Sequence, residues 1–388
     1  MHSSDELYGA DRMVFQVSRA VGENLDVEVE VWLPDDVEHG KYPLCELLTD
    51  QGIAWRHVSI PVLRRSAIKP KGLIQLIKSG WTFGRLIRTS SPDLVYCATS
   101  ACLIAAPIAR LFGIRRVMLH IQELWSGGEA HVLRMLARFT TSQIAISSAV
   151  AEASRGSGVN PMVVENCVEE PPERGKIAIA GLPRPAYVVA SRWNSWKGHG
   201  TLAGAWSQAL CPGHLTILGG PPRSGSAVDV PRLFGRKSID EASVTIVGEV
   251  ADPSPYISGA DALVLPSDAP EPFGLVVIEA FAAGRPVIAS RAGGPLEIIT
   301  EGVDGWFFEP GDDQDLAALL RRLTVADLER AGACARLTYE RRYATTAFRA
   351  RVAALVDDEL VESHDLIRGG LTRGAPPRIG STKPGSTV

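Results

Sequence analysis

Paired metal ligands and disulfide patterns are missing from this sequence. The six cysteines, Cys45, Cys97, Cys102, Cys167, Cys211 and Cys334, form no Cys-x-x-Cys pair, and no histidine cluster accompanies them. That excludes a zinc finger and a disulfide-built scaffold. The thiols read as reduced, the state expected of a cytoplasmic protein. Long apolar runs are missing too. The opening "MHSSDELYGADRM" has no apolar core of the kind a secretion signal needs. The best candidate span, "ACLIAAPIARLFGI", is broken by Pro107 and Arg110, short of the roughly 18 apolar residues that cross a bilayer. A large excess of either charge is also lacking. The net charge of −4 speaks against nucleic acid as the partner of the whole molecule.

What is present is a chain of 388 residues, 45% hydrophobic and 22% charged, enough for two domains with their own cores. Short apolar runs alternate with helix-like stretches. The strand candidates of the first half are 26–34, 93–98, 115–121 and 142–147, with helices over 102–112 and 129–139. Past residue 170 the rhythm restarts, with strands expected at 186–191, 214–220, 243–248, 261–267 and 285–290. Such alternation implies an α/β protein with parallel sheets covered on both faces. "EEPPERGK" (169–176) reads as the linker between two doubly wound, Rossmann-like domains that face each other across a cleft. The boundaries expected are 1–172 for the first domain, 173–345 for the second domain, a helix over 346–362, and a disordered Gly/Pro/Ser-rich tail over 363–388. "ELYGADRMVFQVSRAV" reads as a glycine loop and a helix from Asp11 to about Val21. A strand is expected directly before such a loop, yet "MHSSDE" is polar, so the central first strand of this domain is missing from these residues.

The chemistry concentrates in 261–300. "DALVLPS" reads as a strand, "DAPEPFG" as a loop, and Gly274 or Leu275 opens a helix that Gly284 stops. A helix that starts at a strand's carboxyl end aims free N–H groups and its positive dipole end into the cleft, which makes an anion site. Glu279 lies within the first two turns of this apolar helix. A buried carboxylate needs partners; ligand hydroxyls would serve, and so would an arginine or backbone amides. Upstream, "VVASRWNSWKGHGTL" sets Arg192 and Lys197 just past the strand 186–191. Two cations at the edge that holds the anion site suit a diphosphate, although either alone reads as solvated surface charge.

The run "TIVGEVADPSPYISGADALVLPSDAPEPFGLVVIEAFAAGRPVIASRAGGPLEIITEGVDGWFFEPGD" resembles the nucleotide-binding domain of retaining GT-B glycosyltransferases, group 1 and family 4-like, with their Glu-x7-Glu motif. The similarity covers roughly 186–345. It is weaker in the first half, through "YGADR", "VMLHIQE", "AISSAVAE" and "VVENCVE". The resemblance implies that Glu279 holds the ribose of a nucleotide-diphosphate sugar and that Glu271 bonds the transferred sugar. It implies backbone N–H contacts from Phe273, Gly274 and Leu275, and a base-lining loop at Gly248, Glu249 and Val250. Arg192 and Lys197 would neutralise the leaving diphosphate. His120 would sit beside the sugar, though a lone histidine on an apolar strand is more often structural. Gly9 would approach the diphosphate, with "YG" standing where many relatives have two glycines. No Asp-x-Asp site appears where a metal would be needed, so no metal or other cofactor is expected.

These implications describe a hexose transfer from a UDP- or GDP-sugar to an acceptor hydroxyl of a lipid-linked or surface-polysaccharide glycan. The alternatives are an epimerase or hydrolase of the same fold, and a non-catalytic nucleotide-sugar-binding protein. Residues 64–90 carry seven cations and no acid, interleaved with Leu73, Ile74, Leu76, Ile77, Trp81 and Phe83. That pattern fits either peripheral contact with an anionic membrane or a solvated helix packed on the first sheet.

Overall fold

The computed structural model describes residues 1–36, 43–64, 69–171, 181–210, 212–222, 226–235 and 239–370, with side chains to residue 361. Most of the linker expected at 169–176 and the tail beyond 370 lie outside the described residues. Among the described residues, twelve short strands are all parallel to their neighbours. This is the two-domain α/β architecture that the alternating pattern predicts.

The first domain pairs β1 (Glu30–Pro34) with β2 (Ala54–Val58), and β3 (Leu94–Cys97), β4 (Arg116–Ile121), β5 (Ser142–Ala145) and β6 (Met162–Val163) in a separate four-stranded sheet. Between the two sheets run Met1 and His2. The His2 amide donates to Trp32 O at 3.0 Å, and the Ala98 amide donates to Met1 O at 3.1 Å. The place of a central strand is therefore held by two residues, too few to join β1 and β3 into one continuous ladder. The face of the four-stranded sheet that carries Met118 and Ile144 packs on the helix Gly9–Asn24 through Met13, Val17 and Ala20. Its other face meets the helices Pro70–Ser90 and Ala105–Leu111 through Phe83, Ile87, Ala105 and Ala109.

The second domain holds β7 (Ala186–Ala190), β8 (His214–Leu218), β9 (Val244–Gly248), β10 (Ala262–Leu265), β11 (Val287–Ser290) and β12 (Gly305–Phe308) in the order β12-β11-β10-β7-β8-β9. The chain builds outward from β7 to β9, then returns to β10 on the other side of β7. The strand order therefore reverses between β7 and β10, the switch point at whose carboxyl edge ligands of such sheets bind. The last helix, Thr345–Gly370, runs eight residues past the end expected at 362. It crosses back to the first domain, where Phe348, Val352 and Val356 join the cluster around Met13 and Val17.

Candidate functional site

The crevice between β7 and β10 holds the residues singled out in the sequence. After β7 the chain turns through Asn194–Lys197, and Gly198 (φ 69°) lies so close to Pro266 that a Cβ there would stand 1.5 Å from the Pro266 oxygen. The Asp268 amide donates to Trp196 O at 2.8 Å, and the Thr201 hydroxyl to Asp268 Oδ1 at 2.7 Å. These contacts tie the two loops together and bring Lys197 to Glu271, Nζ to Oε1 2.6 Å, with the Ser267 hydroxyl donating to the same oxygen. Glu271 is buried. A charged hydrogen bond of this length in a crevice is strong, and it fixes both side chains.

The loop that carries Glu271 is braced from the far side. Gly293 and Gly294 press against the Glu271 and Phe273 backbones, closer than any side chain would allow, and the Gly294 amide donates to Glu271 O at 2.8 Å. Gly274 takes φ 96° as N-cap of the helix Leu275–Ala282, a conformation that glycine adopts without strain. The helix starts where the sequence predicts, just past the loop that carries Glu271, and its first amides lack partners within the helix. The Phe273 side chain points away and packs edge-on against Tyr343, so only its backbone can serve a ligand.

The first domain closes this site. Gly9 opens the 16-residue helix Gly9–Asn24, and a Cβ on it would lie 3.7 Å from Leu275 Cδ2. The N-terminal ends of two helices thus meet across the cleft, and their dipoles reinforce at one point. Arg192 lies 3.5 Å above the Tyr8 ring and is ion-paired with Glu6. The Tyr8 hydroxyl donates to Glu249 Oε1 at 2.6 Å. Burial, with that hydrogen bond second, pushes the Tyr8 phenol up to about 12. Arg12 reaches Glu279 at 3.3 Å. Of the partners open to Glu279 from sequence alone, the structure supplies an arginine, and it comes from the other domain. Burial raises the Glu279 carboxyl above the ordinary carboxylate range, with Arg12 opposing.

His120 is fully buried on the helix-facing side of β4, with Nδ1 2.9 Å from the Tyr96 hydroxyl. Nε2 has no partner among the described residues, and burial lowers the ring to about 4. An unpaired buried nitrogen is costly, and Nδ1 of His2, His199 and His214 is left over in the same way among the described residues. Leu275 packs into the same cluster as Tyr96 and Met118, which sets this strand end beside the start of the donor-side helix. Of the loop Gly248–Val250, Gly248 has φ 88° and open space around it, while Val250 packs on the main core.

Arg12, Glu6, Tyr8 and Ser267 complete the site, and the sequence reasoning gave none of them a role. Arg12 carried one signal, a cation three residues past the glycine of the loop. Ser147 and Glu297 carried none. The Ser147 hydroxyl donates to Pro272 O at 2.7 Å, and Glu297 accepts from the Ser148 and Ala149 amides, both at 2.8 Å. The loop that bears Glu271 is thereby bonded to the first domain as well as to its own.

Residues 184–325 match the family described as glycosyl transferases group 1. The sulfoquinovosyl transferase of Arabidopsis thaliana is 49% identical over 71 residues, 18% of this chain and 14% of that protein. The D-inositol 3-phosphate glycosyltransferase of Corynebacterium urealyticum is 31% identical over 163 residues, 39% of this chain and 38% of that protein. Both alignments span well under half of the relative's own length. Anabaena HepE, solved in complex with UDP and glucose, superposes with a TM-score of 0.76 at 21% identity, over 92% of this chain and 98% of that one. A likeness at that identity speaks for the fold, the two-domain GT-B arrangement. The family match spans the loops and helix that hold Lys197, Glu271 and Glu279, so the second domain of this chain is similar to the group 1 glycosyl transferases.

Proposed function

We propose that the protein is a retaining hexosyltransferase that moves a sugar from a nucleotide-diphosphate sugar, UDP- or GDP-linked, to an acceptor hydroxyl. The observation that carries this reading is the meeting of two helix N-termini, at Gly9 and Leu275, beside Arg192 and Lys197. Positive charge gathered at one point in a crevice suits a leaving diphosphate. Around it stand two carboxylates able to bond hydroxyls, with Glu279 assigned to the ribose and Glu271 to the sugar. The bond from the anomeric carbon to the phosphate oxygen breaks. The acceptor oxygen attacks from the same face, and its proton passes to the departing phosphate oxygen. No carboxylate nucleophile is assigned, because both glutamates lie at the phosphate site and Glu271 is engaged by Lys197. The cations and helix ends supply the charge that a metal would otherwise bring, so transfer is expected to persist in a chelator. The acceptor is proposed to be a lipid-linked or surface-polysaccharide glycan.

Product analysis with labelled UDP- and GDP-sugars tests the reading. Label on an acceptor supports it; free sugar alone points to a hydrolase, and binding without turnover to a binding protein. Glu279→Ala and Lys197→Ala should each abolish the donor-induced thermal shift. An unchanged shift in both refutes the site.

A further inference from the structure

The first domain carries a charge asymmetry that the transfer site does not use. Residues 64–122 hold ten Lys and Arg against one acid, Asp93, in a chain of net charge −4, so the remainder stands at −13. The helix Pro70–Ser90 displays part of this excess. At about 100° per residue, its exposed Leu73, Ile74, Ile77 and Trp81 fall within an arc of about 100°. They are 51%, 54%, 64% and 63% exposed. Lys71, Lys78 and Arg85, spaced by seven, form a stripe along one edge of that strip, and all three are exposed.

A second segment extends the same face. Gly80 and Gly84 let the helix Ala105–Leu111 cross closely, since a Cβ on Gly84 would lie 2.4 Å from the Phe112 ring. The crossing sets Trp81 edge-on to Phe112 at 6.2 Å and leaves Leu111 81% exposed beside Arg110 and Arg115. Bulky apolar side chains standing in water from two elements, rimmed by cations, do not make a solvated surface. Two copies of so cationic a face repel each other, which disfavours self-association. Nucleic acid would use the cations but leave the aliphatic strip unmatched.

We propose that this face, built by Pro70–Ser90 and Arg110–Arg115 together, seats the protein on an anionic lipid monolayer. The strip would sink into the headgroup boundary while the cations meet lipid phosphates. The near end of the helix makes the orientation useful. Gly72 and Gln75 line a small recess with Asp35, Asp36 and Ser59, which lie just past β1 and β2. That is the carboxyl edge of the first sheet, where ligands of such sheets bind. A lipid-anchored acceptor would meet the protein there; this last step rests on the transferase reading, and the lipid binding does not.

The test is flotation of the full chain with vesicles of phosphatidylcholine alone or mixed with phosphatidylglycerol. Binding is expected only to the anionic vesicles, and to fall at least tenfold on raising salt to about 0.5 M. Leu111→Ser should weaken it about tenfold, and the triple variant Lys71→Ser/Lys78→Ser/Arg85→Ser about 100-fold. Every variant should keep the donor-induced thermal shift of the parent chain. Equal binding to both vesicle types, or to neither, overturns the proposal. So does a dimer that Leu111→Ser dissolves, or retention of the chain by RNA in preference to lipid. If the parent chain lacks the donor shift but still floats with anionic vesicles, the transferase reading fails and the docking face stands.

Discussion

At the residue scale, the Lys197–Glu271 pair decides most. Each is held by the other, and Ser267 adds a third contact. Lys197→Ala leaves a buried carboxylate facing one hydroxyl, at a cost of about 2–4 kcal/mol. It should also lower the transfer rate constant about 10²–10³-fold, as loss of an electrostatic group at a leaving oxyanion does. The double variant Lys197→Ala/Glu271→Gln separates the two effects. Denaturant unfolding should show most of the stability regained while transfer stays low; a variant that regains activity along with stability would mean that the lysine acts only as a structural counter-ion. Two histidines make a second residue-scale prediction. Burial holds His120 at about 4 in the folded chain, and burial with Lys197 nearby does the same to His199, against an ordinary value near 6.5. A depressed value means that the unfolded chain binds the extra proton. The stability from keeping both rings neutral is complete above about pH 6.5 and is lost as pH falls toward 4. Two such groups give a slope of at most about 2.7 kcal/mol per pH unit. His214 is lowered by burial as well, so His199→Asn should reduce, without abolishing, the loss of unfolding free energy between pH 6.5 and 5, measured by urea titration. An unaltered slope would place the acid sensitivity elsewhere. Of these residues, Lys197, Glu271 and His120 could be picked out from spacing and family pattern. Tyr96, the partner of His120, could not, since it reaches the ring from the neighbouring strand, and Ser267, only four residues from Glu271, carries no pattern of its own.

Glycine sets the limits at the element scale. Gly198 combines φ 69° with a Cβ direction that points at the Pro266 oxygen, 1.5 Å away. Gly198→Ala should therefore push the Lys197 loop off the Glu271 loop and cost more than the 1–3 kcal/mol of an ordinary strained position. Calorimetry should show a clear drop in Tm together with loss of the donor shift. A variant that melts like its parent would mean that the two loops are not locked as described. Gly200, two residues on, has nothing within 4 Å of its Cβ position, so Gly200→Ala should be tolerated and serves as the control. Nine of the strands and the helix at Leu275 were readable as short apolar runs, and the parallel α/β class follows from their alternation; Ala54–Val58, Met162–Val163 and Gly305–Phe308 were not, being interrupted by Arg56 and His57 or only two to four residues long. The first domain was harder. Met1 and His2 stand in for a strand only because the carbonyl of Trp32 and the amide of Ala98, far along the chain, lie on either side of them. The strand expected over 26–34 shrinks to Glu30–Pro34: Val29 still packs on the cluster around Met13, but Val27 stands exposed.

At the scale of the whole molecule, the two domains meet through the groups assigned to the donor. Glu6 pairs with Arg192, Tyr8 bonds Glu249, and Arg12 pairs with Glu279. Each contact joins a residue of the first domain to one that the proposed reaction needs free or reoriented. In the proposed reaction a diphosphate would compete with Glu6 for Arg192, and a ribose would share Glu279 with Arg12. Donor affinity is then a difference between two sets of charged bonds, and it should rise when the protein's own competitor is removed. Glu6→Gln keeps the shape of the side chain and removes its charge, so UDP-sugar should bind about 3–10-fold tighter by titration calorimetry. Tyr8→Phe breaks the bond to Glu249 without altering any charge. It should loosen the contact between the domains and leave the affinity within about twofold, which separates competition for Arg192 from a general relaxation of the cleft. If Glu6→Gln binds donor no better than the parent chain, Arg192 does not serve the diphosphate, and the anion site reduces to Lys197 and the two helix N-termini.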